Sequence, residues 1–202
     1  MTFRVRVIAA IGALALIAGC SGTGNRGTTN GFVSGDGSIT TVDADQREPA
    51  PVLEGEDLEG KPLSSADFAG KTLVVNVWGP WCAPCRAEAP DLDVVEEEYA
   101  DQDVQFIGIL NRTKNPATAI AFNRKYDITY PSFADQGGKL ELGFNDSLPT
   151  MAIPTTWIID SEGRVAVRIL DKVSASTLAN LIDDVQASTG TGRPGAAQKS
   201  PA

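Results

Sequence analysis

The sequence predicts an α/β fold. Two observations predict it: apolar runs alternate along the chain with segments whose apolar residues recur at helical spacing, and the run 104–110 is apolar on both of its faces. A strand that is apolar on both faces is typical of the centre of a parallel sheet covered by helices. The predicted order is therefore strand, helix, strand, helix, strand, strand, helix, with a small hairpin in front.

The first half of the domain is expected to contain the hairpin, a buried strand and a long helix. Residues 57–63 include a Gly-Lys-Pro turn and predict the hairpin, and one helical turn is expected at 65–68. The apolar run 71–78 predicts the buried strand. Residues 84–99 place their apolar side chains on one stripe, which predicts the helix.

The second half begins with the central strand and ends on a helix. Asn115 is expected to cap a helix that starts at a proline and runs over 116–126. Residues 155–160 and 164–170 predict two strands joined by a Ser-Glu-Gly turn. Ser174 is expected to cap the last helix, whose apolar residues recur at helical spacing.

The N-terminus has the pattern of an export signal. Arg4 and Arg6 precede the apolar stretch 7–18, which is too short to span a bilayer. The sequence Leu-Ile-Ala-Gly that precedes Cys20 resembles the bacterial lipobox. That resemblance implies cleavage before Cys20 and a lipid on its sulfur, which would anchor the chain to a membrane. An ordinary secretory signal with an incidental cysteine is the alternative.

Composition divides the rest of the chain into one domain and two flexible ends. After a signal peptide at 1–19, residues 20–50 are rich in Gly, Thr, Ser and Asp, and we expect a disordered, lipidated tether. Residues 51–187 are long enough for a single domain with its own core. Residues 188–202 are expected to form a disordered tail.

The charge of the chain excludes one class of partner. The formal net charge is −9, and removing the two arginines of the signal makes it more negative. An acidic chain repels the negatively charged phosphate backbone, so nucleic acid is not an expected partner.

Cys82 and Cys85 lie between the predicted strand 71–78 and the helix that follows it. A thiol at a helix start faces unpaired N–H groups and the positive end of the helix dipole, and both favour the thiolate. Cys82 is therefore the expected nucleophile. Cys85 lies one helical turn later on the same face, where it can attack a mixed disulfide on Cys82 as the resolving thiol.

Other uses of cysteine fit this chain less well. A zinc site needs about four ligands, and the chain has three cysteines and no histidine. A purely structural disulfide would close a very short loop and stabilise little. A peroxidatic cysteine of the peroxiredoxin type needs Thr or Ser three residues upstream, where this chain has Gly79, and the copper-delivery relatives need a distal histidine. No metal or other cofactor is expected.

Several motifs together resemble one family. They are Val75-Asn76-Val77-Trp78-Gly79, then Trp81-Cys82-Ala83-Pro84-Cys85-Arg86-Ala87-Glu88-Ala89-Pro90, and later Ile153-Pro154-Thr155-Thr156-Trp157. With the export signal, they resemble the TlpA/ResA-type membrane-anchored thiol:disulfide oxidoreductases over roughly residues 50–187. The resemblance implies a thioredoxin fold, with a central mixed β-sheet flanked by helices, an N-terminal β-hairpin and an inserted helix.

The resemblance also implies roles for residues near the cysteines. Pro154 should be a cis-proline facing the disulfide, and the main chain of Ile153 should then be free to pair with an extended substrate peptide. Trp81 should provide an apolar docking surface beside the thiols. The alternatives are a trans Pro154 that opens a strand, and a Trp81 that only packs in the core.

Proton transfer is where the chain departs from thioredoxins, which have a buried aspartate six residues before the first cysteine. Asn76 occupies that position here, as in the TlpA/ResA pattern, and an amide cannot accept a proton. Glu88 lies one turn after Cys85, and we expect it to act as the base for the resolving thiol. A surface carboxylate without a catalytic role is the alternative.

The function that the resemblance implies is reduction of disulfides in exported proteins, including the haem-site cysteines of apocytochromes c. Its partners would be those substrates, a membrane thiol protein that donates electrons, and the membrane that holds the lipid on its extracytoplasmic face; we expect a monomer. Two alternatives stay open. The chain could donate its disulfide as an oxidase or isomerase, or it could be a tethered peptide-binding module without turnover.

Overall fold

A computed structural model of the chain describes residues 32–33 and 38–190. The predicted signal peptide, the Cys20 lipidation site and most of the predicted tether and tail lie outside these residues. Within the described residues, no helix has the length and apolar character needed to cross a bilayer.

The first group of elements follows the predicted order closely. A two-residue strand, β1 (Phe32–Val33), and β2 (Ile39–Thr41) precede the hairpin. The hairpin is formed by β3 (Glu54–Glu56) and β4 (Pro62–Ser64), and a 3-10 turn follows at Ser65–Phe68. The buried strand is β5 (Thr72–Trp78), and the long helix is α1 (Ala83–Tyr99).

The second group contains the central strand and the last two helices. In chain order these elements are β6 (Val104–Asn111), α2 (Pro116–Lys125), β7 (Ser132–Asp135), a 3-10 turn (Glu141–Phe144), β8 (Thr155–Ile159), β9 (Val165–Leu170) and α3 (Ala175–Thr189). Asn115 and Ser174 cap α2 and α3 through their side chains, as the sequence predicts.

The main sheet of the described chain is mixed and has the strand order β1-β2-β9-β8-β5-β6-β7. β5, β6 and β7 are parallel, and β8 pairs antiparallel with both β5 and β9. The sheet confirms the predicted α/β class. β5 lies in the middle of this sheet and ends at Trp78, so the short turn that follows it places Cys82 and the start of α1 at the end of a central strand.

Both faces of the sheet are covered by apolar side chains. On one face Val74 and Ile158 pack with residues of α1 and α3, including Leu92 and Ile182. On the other face the cluster contains the hairpin, the 3-10 turn at Glu141–Phe144 and Trp157 of β8. A third cluster surrounds the cysteines and consists of Trp78, Cys82, Cys85, Ala89, Leu110, Ala119 and Phe122.

Three strands of the described structure were not predicted. β7 has only four residues and begins and ends with polar ones, so the sequence carries no strand signal there; its parallel pairing with β6 stabilises it. β1 and β2 lie inside the region predicted to be a tether, where β1 pairs with β2 and β2 pairs antiparallel with β9. Regular structure thus extends to the N-terminal side of the predicted boundary at residue 51, because main-chain pairing to a sheet edge requires few apolar side chains.

Candidate active site

Cys82 occupies the N-cap position of α1. Its Sγ lies 3.2 Å from the backbone nitrogen of Cys85, which donates toward the sulfur. The turn that carries it is closed by a hydrogen bond from the Cys82 N–H to the Gly79 carbonyl, 3.0 Å. Once the pair is reduced, the same N–H group is placed to stabilise a Cys82 thiolate.

The two cysteines form a disulfide. The S–S distance is 2.08 Å, and the Cα atoms are 5.3 Å apart. Cys82 is 4% exposed and Cys85 2% exposed. The structure therefore shows the oxidised form of the site, in which the two cysteines singled out in the sequence are joined.

The loop before β8 lies against the disulfide. The Ile153–Pro154 peptide bond is cis, in agreement with the sequence analysis. The carbonyl oxygen of Ile153 lies 3.6 Å from Cys82 Sγ. The main chain of Ile153 is therefore beside the sulfur that a substrate must reach.

Trp81 is a surface residue. Its side chain is 52% exposed, so the alternative that it only packs in the core is wrong. A side chain at Gly79 would collide with the indole, because an added Cβ would lie 2.7 Å from Nε1 of Trp81. The indole thus lies over the backbone of the turn that leads to Cys82.

Glu88 is buried inside the domain. It is 1% exposed, so the alternative of a surface carboxylate is wrong. Asn76 Nδ2 donates to Glu88 Oε1 at 2.9 Å and to Thr156 Oγ1 at 3.0 Å. The backbone N–H of Val173 donates to Oε2 at 3.4 Å. Two segments that are distant in the chain, β5 and the loop before α3, therefore fix the position of this carboxyl group.

Burial dominates the ionisation of Glu88. Loss of water around the carboxylate raises its pKa to about 7, although the hydrogen bonds from Asn76 and Val173 act in the opposite direction. A carboxyl group with this pKa can accept a proton and release it near neutral pH. The site therefore contains a proton acceptor suited to thiol chemistry.

A small internal cavity connects Cys85 with Glu88. Both residues line it, together with Asn76, Trp78, Asn123 and Tyr130 among others. Within the described part of the chain, Trp78 Nε1 and Asn123 Oδ1 are buried without a hydrogen-bond partner. The cavity holds only about 10 Å³, so Cys85 and Glu88 are close to the same small interior space.

Sequence reasoning missed several residues of this site. Thr156 and Val173 hold Asn76 and Glu88, but they lie far from them in the chain and carry no signal of that contact. Asn123 lies on α2 and has no motif around it. Only the fold brings these residues to the interior around Asn76, Cys85 and Glu88.

Comparisons with known proteins agree with this geometry. The model of the Redoxin family matches residues 44–182. The chain is 32% identical over 120 residues to the thiol-disulfide oxidoreductase ResA of Bacillus thuringiensis, an alignment that spans 59% of the chain and 66% of that relative. It is 30% identical over 154 residues to the thiol:disulfide interchange protein HelX of Rhodobacter capsulatus, which spans 75% of the chain and 82% of the relative.

Solved structures agree as well. A DsbF homologue from Corynebacterium diphtheriae superposes with a TM-score of 0.69 at 34% identity, over 76% of this chain and 99% of that one. A secreted thiol-disulfide isomerase from Corynebacterium glutamicum gives 0.68 at 29% identity, over 76% and 97%. These similarities confirm the thioredoxin-like fold. The chain therefore belongs to the Redoxin family, with the fold and the paired-cysteine site of its thiol:disulfide oxidoreductases.

Proposed function

We propose that this oxidoreductase works as a reductant of disulfides in exported proteins. The observation that carries the proposal is the position of Cys82, at the N-cap of α1 and 3.6 Å from the carbonyl of Ile153. A sulfur in this place is activated by the helix and lies beside main chain that can pair with a polypeptide.

The reaction proceeds in two exchanges. The Cys82 thiolate attacks one sulfur of the substrate disulfide, so a mixed disulfide forms and one substrate thiolate leaves. Cys85 then attacks Cys82 Sγ and releases the second substrate thiolate, which leaves Cys82 and Cys85 joined as the structure shows them. Two electrons pass to the substrate, and an external dithiol must return them.

Glu88 takes part in the second exchange as the acceptor of the Cys85 proton. Its burial, its pKa of about 7 and the cavity that it shares with Cys85 support this role. In Glu88→Gln the second exchange should slow at neutral pH, because Cys85 loses the group that accepts its proton. An unchanged rate of the second exchange would remove Glu88 from the mechanism.

Electron transfer in the opposite direction, in which this chain gives its disulfide to a substrate, is supported by a different observation. A secreted thiol-disulfide isomerase is among the similar structures, with a TM-score of 0.68. Against a strongly oxidising role, the dipeptide between the cysteines is Ala83-Pro84, without the histidine typical of strong exported oxidants. Reduction is therefore the function that we favour, and isomerisation or oxidation is the second candidate.

The location of the chain is part of the proposal. The similar proteins include a secreted isomerase and the interchange protein HelX, and these support a place outside the cytoplasm. We propose that Cys20 carries the lipid that holds the domain at the membrane. The partners would then be exported disulfide proteins, including apocytochromes c, and a membrane thiol protein that supplies electrons.

A thiol assay tests the proposed activity. Full-length chain carrying Cys20→Ser, which leaves only the active-site pair, is reduced, freed of reductant and mixed with an oxidised exported protein. We expect new substrate thiols in proportion to the chain added, and none with Cys82→Ser. Cysteines that stay unreactive in the folded chain would instead favour a binding module without turnover.

A further inference from the structure

Thr156 and Asn76 face each other across two central strands of the sheet. β8 runs antiparallel to β5, and the register places Asn76 directly opposite Thr156. The side chains of such a pair lie on the same face of the sheet, with their Cβ atoms about 5 Å apart. Thr156 Oγ1 is therefore within reach of Asn76 Nδ2, which donates to it at 3.0 Å.

The fold itself does not require the hydroxyl group of Thr156. The side chain is fully buried, and the main chain of β8 already pairs with β5 and β9. Valine has nearly the same shape and would fill this position without the cost of burying a polar atom. The oxygen is tolerated here because it has a hydrogen-bond partner, Asn76 Nδ2.

The amide of Asn76 offers its two N–H hydrogens to two acceptors. One acceptor is Thr156 Oγ1, and the other is Glu88 Oε1 at 2.9 Å. An ionised carboxylate can only accept hydrogen bonds, so the amide must turn its nitrogen toward Glu88. Because the amide is planar, the bond to Thr156 also fixes the direction of the hydrogen that points at Glu88.

Resting on the proposed function, in which Glu88 accepts the Cys85 proton, we propose that Thr156 is a positioning residue for the second exchange. Its hydroxyl group holds the Asn76 amide so that the amide donates to the ionised form of Glu88. This hydrogen bond lowers the pKa of Glu88, whereas burial raises it. Without Thr156 Oγ1, a larger fraction of Glu88 keeps its proton at neutral pH and cannot accept another.

Other groups around Glu88 act on it independently of Thr156. Asp91, which lies about one turn later on α1, and Asp171, in the loop before α3, both raise the pKa of Glu88. Tyr130, which lines the cavity beside Glu88, stays neutral because burial raises the pKa of its phenol. These groups are shared by all variants of Thr156, so a shift in the ionisation of Glu88 reports on the amide.

Three substitutions separate the hydroxyl group from the packing of the side chain. Thr156→Val removes the oxygen and keeps the shape, and Thr156→Ser keeps the oxygen. Thr72→Val is the matched control, because Thr72 is equally buried and its Oγ1 has no hydrogen-bond partner within the described residues. Thr72 lies on the same face of β5 as Asn76 and about 13 Å along the strand.

The ionisation of Glu88 is measured first, in oxidised full-length chain carrying Cys20→Ser. NMR of the glutamate carboxyl carbons follows it as the pH is raised, and Glu88→Gln identifies the Glu88 signal by its loss. The parent should have its midpoint at about pH 7. We expect the midpoint to rise by about one pH unit in Thr156→Val and to stay at the parent value in Thr156→Ser and Thr72→Val.

An unmoved midpoint in Thr156→Val, or an equal rise in Thr72→Val, would overturn the proposal. If Thr156→Val does not fold, Thr156→Ala removes the same oxygen and carries the same expectation.

The second exchange is measured with dithiobis(2-nitrobenzoate) and the reduced chain. The Cys82 thiolate attacks this reagent, binds one nitrothiobenzoate group through a disulfide and releases the other as a coloured thiolate. Cys85 then attacks Cys82 Sγ and releases the second coloured thiolate. The first release depends on reagent concentration and the second does not, so the two exchanges are observed separately.

In Thr156→Val we expect the second release to be about fivefold slower at about pH 7 and to recover at higher pH, because a smaller fraction of Glu88 is ionised at neutral pH. The first release should be unchanged. Thr156→Ser and Thr72→Val should behave as the parent does in both.

The two measurements also separate this proposal from the proposed function. A midpoint that moves in Thr156→Val without any change in the second release would overturn the role of Thr156 in the exchange. If Cys82 does not react with the reagent at all, the reductase proposal fails, and the NMR midpoints still decide whether Thr156 orients the Asn76 amide toward Glu88.

Discussion

At the scale of single residues, the chemistry depends on a few side chains that the domain buries. The sequence indicated Cys82, Cys85 and Glu88 because they occur in one short motif. It could not show that Glu88 is held by Asn76 and by the N–H of Val173, since those contacts depend on how β5 and the loop before α3 lie against α1. Burial, which sets the ionisation of Glu88, likewise becomes visible only in the fold.

The buried Glu88 predicts a pH dependence of stability. The pKa of Glu88 is about 7 in the folded protein, against 4.5 as its ordinary value. Between these values the folded state keeps a proton that the unfolded state has lost, so the free energy of unfolding falls as the pH rises. The stability is fully present below about pH 4.5, and about 3 kcal/mol of it is lost by about pH 7.

Glu88→Gln should lack this loss, because the amide does not ionise. Urea unfolding of the oxidised parent and of the variant, at about pH 5 and about pH 8, measures the difference. All other titrating groups are shared, so they cancel in the comparison. Parallel pH dependences for the two proteins would show that Glu88 does not carry a raised pKa.

At the scale of elements, the sequence predicted the helices and the central strands, whose apolar patterns are long and regular. It did not predict β7 or β2, because each is short and depends on pairing with a strand distant in the chain. The N-terminal segment is also attached through side chains. Arg47 Nη1 lies 3.1 Å from Asp160 Oδ2, and Arg164 Nη2 lies 3.0 Å from the same atom.

This ion-pair network should contribute strongly to stability. Asp160 is buried and also accepts from the backbone N–H groups of Glu162 and Arg164. Asp160→Asn removes the charge and leaves the buried Arg47 without its anionic partner, so the free energy of unfolding should fall by about 3 kcal/mol. Urea denaturation at neutral pH measures it.

Glu162→Gln is the matched control in the same hairpin. Glu162 forms an ion pair with Arg164 at 2.9 Å, but its side chain is 60% exposed, so the loss should stay below about 1 kcal/mol. Equal losses for the two variants would contradict the assignment of the network as the attachment of the N-terminal segment.

At the scale of the whole molecule, the fold places the sulfur of Cys82 beside the loop that precedes β8. α1 and its N-cap provide the cysteines, and that loop provides Ile153 and Pro154. The 3-10 turn at Glu141–Phe144 lines a groove of about 470 Å³ together with Trp81 and Ile153. The general architecture follows from the alternation of strands and helices. The groove could not be predicted, since Leu142 and Met151 belong to no motif and meet Trp81 only in the folded chain.

The direction of electron flow is a property of the whole molecule, because it depends on the free-energy difference between the dithiol and disulfide states. For this two-electron couple, about 30 mV corresponds to about 1.4 kcal/mol. Small differences in the surroundings of Cys82 and Cys85 therefore decide between a reductant and an oxidant.

The reduction potential of the Cys82–Cys85 pair tests the central claim most directly. It is measured in full-length chain carrying Cys20→Ser, equilibrated against a thiol buffer of known potential. A reductant of exported proteins should have a value near that of thioredoxin, about −270 mV. A value near that of a strong exported oxidant, about −120 mV, would contradict the account and would mean that the chain donates its disulfide.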